Sequence, residues 1–161
     1  MHYYDFYDSL HGRMLLVADG EGLSGVYFDR QKYRPPVHAE WRQDARHAPL
    51  RQAKGELAEY FGGERKRFDT PVAAEGTPFQ RSVWKAISTV GFGETISYGE
   101  LARRAGHPGS ARAAGAATGR NPIGIIVPCH RIMGANGSLT GYAGGLDRKR
   151  ALLALEGIRR D

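Results

Sequence analysis

The first thirty residues have a pattern of hydrophobic and polar positions that is typical of antiparallel β-strands. Aromatic and polar residues alternate from Tyr3 to Tyr7, and short apolar stretches follow at 14–17 and 23–28. Between these two stretches, residues 19–22 (DGEG) have the composition of a tight turn. We therefore predict a small antiparallel sheet in this part of the chain.

One helix is predicted after the sheet. Residues 31–47 are polar and contain two adjacent prolines, so we predict a loop there. Apolar residues then recur at helical spacing from Pro49 to Phe61, and two glycines end the pattern. Residues 68–73 are compatible with a strand or with a connector. The sheet and the helix form a predicted N-terminal lobe over residues 1–74.

Three short helices are predicted next. Thr77 is suited to the N-cap of the first, with a proline at its first helical position. Ser97 is suited to cap a second helix that runs to Ala105, and Glu100 completes the pattern of a capping box. Ser110 is suited to cap the third, after a turn that contains glycine. The last two helices have the form of a helix-turn-helix, although many helix pairs in protein cores look the same.

The third of these helices has almost no long side chains. From residue 110 to residue 117 the only large side chain is Arg112. A helix with so few long side chains cannot read base edges in the major groove. Its backbone could, however, approach the narrow minor groove, with Arg112 projecting into that groove. Tight packing against another helix, with Arg112 in solvent, explains the same composition. The residues alone leave both interpretations open.

A single cysteine follows the most apolar stretch of the second half. Residues 123–127 predict a buried strand that ends at Pro128-Cys129-His130-Arg131. A lone cysteine is usually a small buried hydrophobic residue. A neighbouring imidazolium or guanidinium would lower its pKa from about 8.5 and make the sulfur nucleophilic. Because adjacent residues of an extended chain point to opposite sides, contact between Cys129 and His130 requires a turn or a bridging water.

The last predicted helix runs from about residue 147 to residue 155, and Gly157 ends it. Glu156 lies in its final turn, where the helix dipole disfavours an anion. A cationic or hydrogen-bonding partner would offset that effect, and His130 is a candidate. The alternative is an exposed glutamate at a frayed helix end.

Charge and cysteine content narrow the range of functions. Residues 1–80 contain 11 Lys and Arg against 12 Asp and Glu, whereas residues 81–161 contain 12 against 5. The basic second half suggests a polyanionic partner, nucleic acid first, although a solvated basic surface explains the same distribution of charge. One cysteine excludes an intramolecular disulfide and a zinc site built from several cysteines. No apolar run approaches the ~20 residues of a membrane span, and no signal-peptide pattern opens the chain, so we expect a cytoplasmic protein.

These residues resemble the O6-alkylguanine-DNA alkyltransferases, also called methylated-DNA–protein-cysteine methyltransferases. The family signature is Pro128-Cys129-His130-Arg131 after an isoleucine-rich stretch. Other family motifs occur in the same order and spacing: TPFQ at 77–80 with Trp84, SYG at 97–99, ARA at 111–113, NP at 121–122, GY at 141–142 and LEG at 155–157. The close similarity covers residues 75–158, whereas residues 1–74 fit the family's variable N-terminal lobe loosely.

The resemblance implies an α/β (α+β) fold. A small N-terminal antiparallel sheet with a helix would be followed, over residues 75–161, by a mainly helical domain that holds a helix-turn-helix and an active-site loop. The activity implied is DNA repair by direct reversal: one irreversible transfer of an alkyl group from O6 of guanine in duplex DNA to Cys129. O4-alkylthymine is a further candidate substrate.

The resemblance also implies a role for each matching residue. Cys129 would be the alkyl acceptor, His130 the base acting through water, and Glu156 the residue that orients the imidazole. Asn121 would brace the turn before the active-site segment, and Tyr98 would help to displace the target nucleotide and donate a hydrogen bond to the departing guanine. The remaining implied residues bind DNA or line the pocket for the flipped base: Arg112 as the finger that fills the base stack, with Ala111, Ala113 and Gly115 beside it, and Tyr142, Ile132 and Ala143 in the pocket.

No cofactor and no metal are expected, since the zinc ligands of some relatives include cysteines and none precedes Cys129 here. We expect a monomer that acts on duplex DNA. Three other functions stay open on the residues: a non-catalytic protein that binds alkylated DNA, a helix-turn-helix regulator that reads sequence, and a Cys-His hydrolase.

Overall fold

The computed structural model describes residues 1–158, and the chain divides into two compact units. Unit 1 comprises Met1–Glu75 and Pro122–Gly124, and unit 2 comprises Gly76–Asn121 and the residues from Ile125 onward. Residues 159–161, which belong to the predicted C-terminal domain, lie outside the described residues. Strands are concentrated in unit 1 and helices in unit 2, as expected of the predicted α+β class.

Unit 1 contains a four-stranded sheet in the order β3-β2-β1-β4 and one long helix. The bounds are β1 Tyr3–Ser9, β2 Gly12–Ala18, β3 Leu23–Phe28, β4 Arg42–Gln43 and α1 Ala48–Phe61. The first three strands pair antiparallel, which confirms the prediction from the alternating pattern. The predicted loop at 31–47 is wrong at β4, because β4 pairs parallel with the start of β1, a long-range contact that local polarity does not show.

The core of unit 1 lies between the sheet and α1. Residues 14–18 of β2 are buried throughout, and α1 buries Leu50, Ala53, Leu57 and Tyr60. Glu56 on the same helix face is also buried, and its Oε1 accepts hydrogen bonds from the backbone N–H of Asp69 and from the N–H and hydroxyl of Thr70. These bonds hold residues 68–73 as a connector, in which Val72 forms one bridge to Leu23.

Unit 2 is mainly helical. Its elements are α2 Pro78–Ile87, β5 Ile96–Ser97, α3 Tyr98–Arg104, α4 Ala111–Gly119, a 3-10 turn at Cys129–Arg131, β6 Ile132–Met133 and α5 Leu146–Leu155. The cap of α2 is as predicted: Thr77 Oγ1 accepts from the N–H of Gln80, whose side chain accepts from the N–H of Thr77. No helix in the part of the chain from residue 1 to residue 158 is long and apolar enough to cross a membrane.

Two of the predicted caps differ from the structure. Ser97 Oγ accepts from the N–H of Glu100, but the Glu100 carboxylate binds Arg103 and Arg104 instead of returning to the cap. The capping box is therefore only half formed, because two guanidinium groups one turn away attract the carboxylate more strongly than a backbone N–H. Ser110 stands before α4 with φ −101° and ψ 39°, and its side chain makes no capping hydrogen bond.

The predicted strand at 123–127 is also wrong. Only Ile123 pairs, in a single bridge to Val26, and the chain then turns. Ile125 has φ 69°, a conformation that a β-branched residue rarely adopts. The side-chain amide of Asn121 donates to the carbonyl of Val127 across this segment at 2.9 Å, which holds it as a compact turn. Apolarity predicted correctly that Ile123, Ile125 and Val127 are buried, but it did not predict the backbone path, and Ile126 is half-buried.

Candidate active site

Cys129 is the first residue of the 3-10 turn and is buried. Pro128 precedes it with φ −82° and ψ 63°, and the N–H of Cys129 donates to the carbonyl of Val127 at 2.8 Å. The chain is therefore not extended at Cys129 and His130, so the opposite-side geometry expected of a strand does not apply. The sequence indicated that contact between Cys129 and His130 requires a turn or a bridging water. The structure has a turn at these residues.

His130 and Glu156 form a buried pair. Nε2 of His130 lies 2.7 Å from Oε2 of Glu156, and both side chains are completely inaccessible to solvent. Burial lowers the pKa of His130, against the opposing effect of Glu156, so the imidazole is neutral at physiological pH. Because a carboxylate accepts, Nε2 carries the proton and Nδ1 carries the lone pair. Nδ1 is buried and makes no hydrogen bond within residues 1–158.

Arg131 shares the same carboxylate. Its Nε donates to Oε1 of Glu156 at 2.8 Å and its Nη2 donates to Oε2 at 3.0 Å. Its Nη1 donates to the carbonyl of Val90 at 2.6 Å. This buried bidentate pair offsets the unfavourable position of Glu156 at the C-terminal end of α5. The sequence suggested only His130 as the partner, although a buried arginine needs a carboxylate and the signature motif contains Arg131.

The Cys129 thiol is held in its protonated form. Burial raises its pKa, and this outweighs a hydrogen bond from Asn121 and the positive charge of Lys149, which both lower it. The lowering of the pKa that a neighbouring cationic His130 or Arg131 would cause is not present in this structure. Arg131 is neutralised by Glu156, and His130 is uncharged. A nucleophilic role for Cys129 would therefore require that the proton leave the sulfur as the sulfur reacts.

Lys149 is a site residue that the sequence did not indicate. It is completely buried in α5, and its Nζ donates to the carbonyls of Ile132 at 2.6 Å and Thr140 at 3.1 Å. Burial lowers its pKa to about 8, and a thiolate at Cys129 would oppose that shift. Helical spacing was the available signal, because Lys149, Leu152, Leu153 and Glu156 share one face.

Tyr98 and Asn121 lie in the same unit as the cysteine. Tyr98 is the first residue of α3, and its hydroxyl accepts from Thr140 Oγ1 at 3.3 Å. Burial raises the pKa of Tyr98 against the opposing effect of the Thr140 hydrogen bond, and a thiolate at Cys129 would raise it further. Asn121 is buried and binds both the Val127 carbonyl and the cysteine. Among the residues predicted as catalytic, the described interactions join His130 to Glu156, and Asn121 and Tyr98 to Cys129.

The predicted pocket residues lie on two segments of unit 2. The carbonyl of Ile132 is held by Lys149, and Ile132 itself pairs in β6 with β5. Tyr142 and Ala143 are half-buried in the segment before α5, where the Tyr142 carbonyl accepts from the N–H of Gly145. Because Lys149 also holds the Thr140 carbonyl, one ammonium group joins both segments.

Helix α4, which has few long side chains, packs against α2 with one face and exposes another face to solvent. Ala114 and Ala117 are buried, and Trp84 Nε1 donates to the Ala117 carbonyl at 2.8 Å, so the helix packs closely on α2. Arg112 and Ala113 are exposed, Ala111 is half-buried, and Gly115 approaches the Tyr98 ring. The two interpretations left open by the composition are therefore compatible, because they concern different faces of one helix.

Two protein-family profiles together match nearly the whole chain. Residues 78–158 match the DNA-binding domain of 6-O-methylguanine DNA methyltransferase. Residues 2–74 match the ribonuclease-like domain of the same proteins. The chain belongs to the 6-O-methylguanine DNA methyltransferase family. The resemblance carried by the motifs of the second half is thereby confirmed, and it extends over the first half.

Curated relatives of this methyltransferase family match along their whole length. The chain is 50% identical over 155 residues to the methylated-DNA–protein-cysteine methyltransferase of Methanosarcina acetivorans, covering 96% of this chain and 98% of that protein. It is 47% identical over 159 residues to the protein of the same name from Mycobacterium bovis, covering 99% and 94%.

Solved structures of the methyltransferase family have the same fold. The crystal structure of the Mycobacterium tuberculosis O6-methylguanine methyltransferase matches with a TM-score of 0.88 at 46% identity, covering 100% of this chain and 96% of that one. The same M. tuberculosis protein in complex with DNA matches with a TM-score of 0.87 at 47% identity, covering 96% and 92%. These matches confirm the α+β fold expected from the sequence.

Proposed function

We propose that this methyltransferase repairs DNA by moving an alkyl group from O6 of guanine in duplex DNA onto Sγ of Cys129. The observation that carries the proposal is the buried Cys129 next to the His130–Glu156 pair, in a chain whose relatives are named methylated-DNA–protein-cysteine methyltransferases. The solved complex of the M. tuberculosis relative with DNA supports duplex DNA as the partner. We also propose that the protein acts as a cytoplasmic monomer.

The proposed reaction is a displacement at the alkyl carbon. Nδ1 of His130 takes the thiol proton through a water molecule, and Glu156 stabilises the imidazolium that forms. The sulfur forms a bond to the alkyl carbon as the carbon–O6 bond breaks, and the electron pair of that bond passes to the guanine. Tyr98 O–H donates a hydrogen bond to the guanine and so offsets its developing negative charge.

DNA binding is proposed to involve the exposed face of α4. The alkyl carbon is out of reach inside a duplex, so the nucleotide must be flipped out, at a cost of a few kcal/mol. The small exposed residues allow the helix backbone to approach the minor groove, and Arg112 fills the place that the base leaves. The flipped base would lie against Tyr142 and the backbone of Ile132 and Ala143.

Intact-mass spectrometry tests this proposal. The protein is mixed with a duplex that carries one O6-methylguanine, with the unmodified duplex as the control. We expect one added methyl group for each protein molecule, located on Cys129 by peptide analysis, and no further turnover with excess substrate. An unmodified cysteine beside tightly bound methylated duplex would overturn the proposal in favour of a lesion-binding protein. A duplex with O4-methylthymine tests the second candidate substrate in the same way.

A further inference from the structure

Unit 1 contains a cavity of about 430 Å³ that the proposed alkyl transfer does not use. Its walls include the aromatic side chains of Trp41 and Tyr27 and the imidazoles of His2 and His38. Glu40 and Glu75 also line it. The volume is within the range of roughly 300–1,000 Å³ that is usual for small-molecule sites.

The charge of this cavity is opposite to that of the protein. The chain as a whole has a formal net charge of +6, whereas the residues that line the cavity include two carboxylates and no lysine or arginine. Neither Glu40 nor Glu75 forms a salt bridge with another residue in the range 1–158. Burial raises the pKa of Tyr27, and the charge of Glu75 raises it further. The negative charge of Glu75 therefore acts on the Tyr27 side chain in the wall of the cavity.

The aromatic wall is held in place by backbone contacts. The Trp41 N–H donates to the His38 carbonyl at 3.1 Å, and the next residue pairs with the His2 carbonyl at 3.0 Å through β4. The His38 ring meets the Trp41 ring edge-on at a centroid distance of 4.7 Å, and the His2 ring lies 5.9 Å away. Trp41 thus has a fixed orientation at the cavity.

The position of the Tyr27 ring depends on the absence of a side chain at Gly25. Its ring lies directly over Gly25, two residues earlier on the same face of β3, and a Cβ at Gly25 would come within 2.4 Å of a ring carbon. Any larger residue at position 25 would displace the ring. The strand is thus shaped to accept an aromatic ring at this point.

We propose that this cavity binds a small alkylated ammonium ion, with its positive charge against the Trp41 and Tyr27 rings and near Glu40 and Glu75. Aromatic faces attract such ions through their quadrupole, and desolvated sites strengthen the attraction. Carboxylates exclude anions, and a metal ion would find few oxygen ligands among so many rings. The residues from 1 to 158 contain no cluster of three or more side chains suited to a metal. This proposal is independent of the alkyl-transfer activity.

The test compares a cation with its neutral isostere. The full chain, labelled with ¹⁵N, is titrated with choline and with 3,3-dimethylbutan-1-ol, which has the same shape without the charge. We expect saturable shifts of the Trp41 indole signal with choline, no shift of the Trp84 indole, and a dissociation constant about tenfold lower than for the alcohol. Equal affinity of the two compounds, or no effect of choline at millimolar concentration, would overturn the proposal.

Variants identify the groups involved. Glu40→Gln with Glu75→Gln should weaken choline binding at least ~5-fold by calorimetry, because the amide keeps the shape and removes the charge. Glu64→Gln, an exposed glutamate outside the cavity, is the matched control and should bind as the wild type does. Gly25→Ala should also weaken binding by displacing the Tyr27 ring, and thermal melting shows whether each variant is folded. Unchanged affinity in the folded double variant would contradict the proposal.

Discussion

Oε2 of Glu156 lies 2.7 Å from Nε2 of His130 with both side chains completely buried. The same carboxylate accepts two hydrogen bonds from Arg131. One anion therefore orients the neutral imidazole and neutralises a buried guanidinium. Its loss should affect both the reaction and the stability of the fold.

Glu156→Gln should slow alkyl transfer and destabilise the protein. The amide cannot stabilise an imidazolium as a carboxylate does, so we expect the single-turnover rate to fall at least ~10-fold. Arg131 would keep its charge without an anionic partner, which should lower the free energy of unfolding by about 3–5 kcal/mol. Rates are measured with a methylated duplex and stability by urea denaturation. Asp147→Asn, at an exposed position of the same helix, is the control and should change neither quantity.

Stability should fall as the pH drops below the ordinary pKa of histidine. Burial lowers the pKa of His130 from 6.5 in the folded protein, so below that pH the unfolded chain binds a proton that the folded chain does not. The free energy of unfolding should therefore be highest above pH 6.5 and decrease towards pH 5. In His130→Gln this part of the pH dependence should be absent. Parallel curves for the two proteins between pH 7 and pH 5 would show that His130 is not the group responsible.

Lys149 should make stability depend on pH in the alkaline range. Its pKa is lowered from 10.5 to about 8, so the unfolded chain is the more protonated state between these values. Stability should therefore increase from pH 8 to pH 10.5 relative to Lys149→Met, by about 3 kcal/mol from the shift in pKa. Both proteins should carry Cys129→Ala, which removes the thiol titration. A constant difference between the two curves would contradict the prediction.

Asn121→Ala should make the thiol less reactive. The hydrogen bond from Asn121 lowers the pKa of Cys129, and the amide also holds the turn through the Val127 carbonyl. Without it, the pKa of Cys129 should rise further and iodoacetamide should react more slowly at a fixed pH. Asn136→Ala, which removes an exposed side-chain bond to the N–H of Ser138, is the matched control. A Cys129 alkylation profile identical to that of the wild type would mean that Asn121 acts on the fold alone.

Arg112→Ala should weaken repair more than initial binding. Arg112 is exposed on α4 and forms no salt bridge with the residues described, so its removal should leave the fold intact. A side chain that fills the base stack acts after the protein has bound, so the methyl-transfer rate should fall several-fold more than the affinity for unmodified duplex. Lys85→Ala, which removes an exposed cation of α2, tests charge alone and should lower both quantities together. Equal losses in the two variants would contradict the stacking role.

Local patterns in the sequence predicted much of the fold. Alternation predicted the first strands, and the Thr77 and Ser97 caps predicted where α2 and α3 begin, because these signals depend on residues a few positions apart. The signature around Cys129 and its spacing from the other motifs predicted the family. The His130–Glu156 pair was one of two alternatives at the sequence level, because a carboxylate at a helix C-terminus is either exposed or stabilised by a partner.

Tertiary contacts decided the rest. The edge strand β4 pairs with β1, and Ile123 in the turn at 123–127 pairs with Val26, so both depend on partners that are distant in the sequence. The sequence by itself indicated which residue we propose to react, namely the single cysteine of the signature. Only the folded structure decided its protonation, because burial raises the pKa of Cys129 more than its neighbours lower it. Burial also explains why Arg131 binds Glu156 and why Lys149 binds the Ile132 carbonyl. An ionisable group that is removed from water must form its hydrogen bonds within the protein.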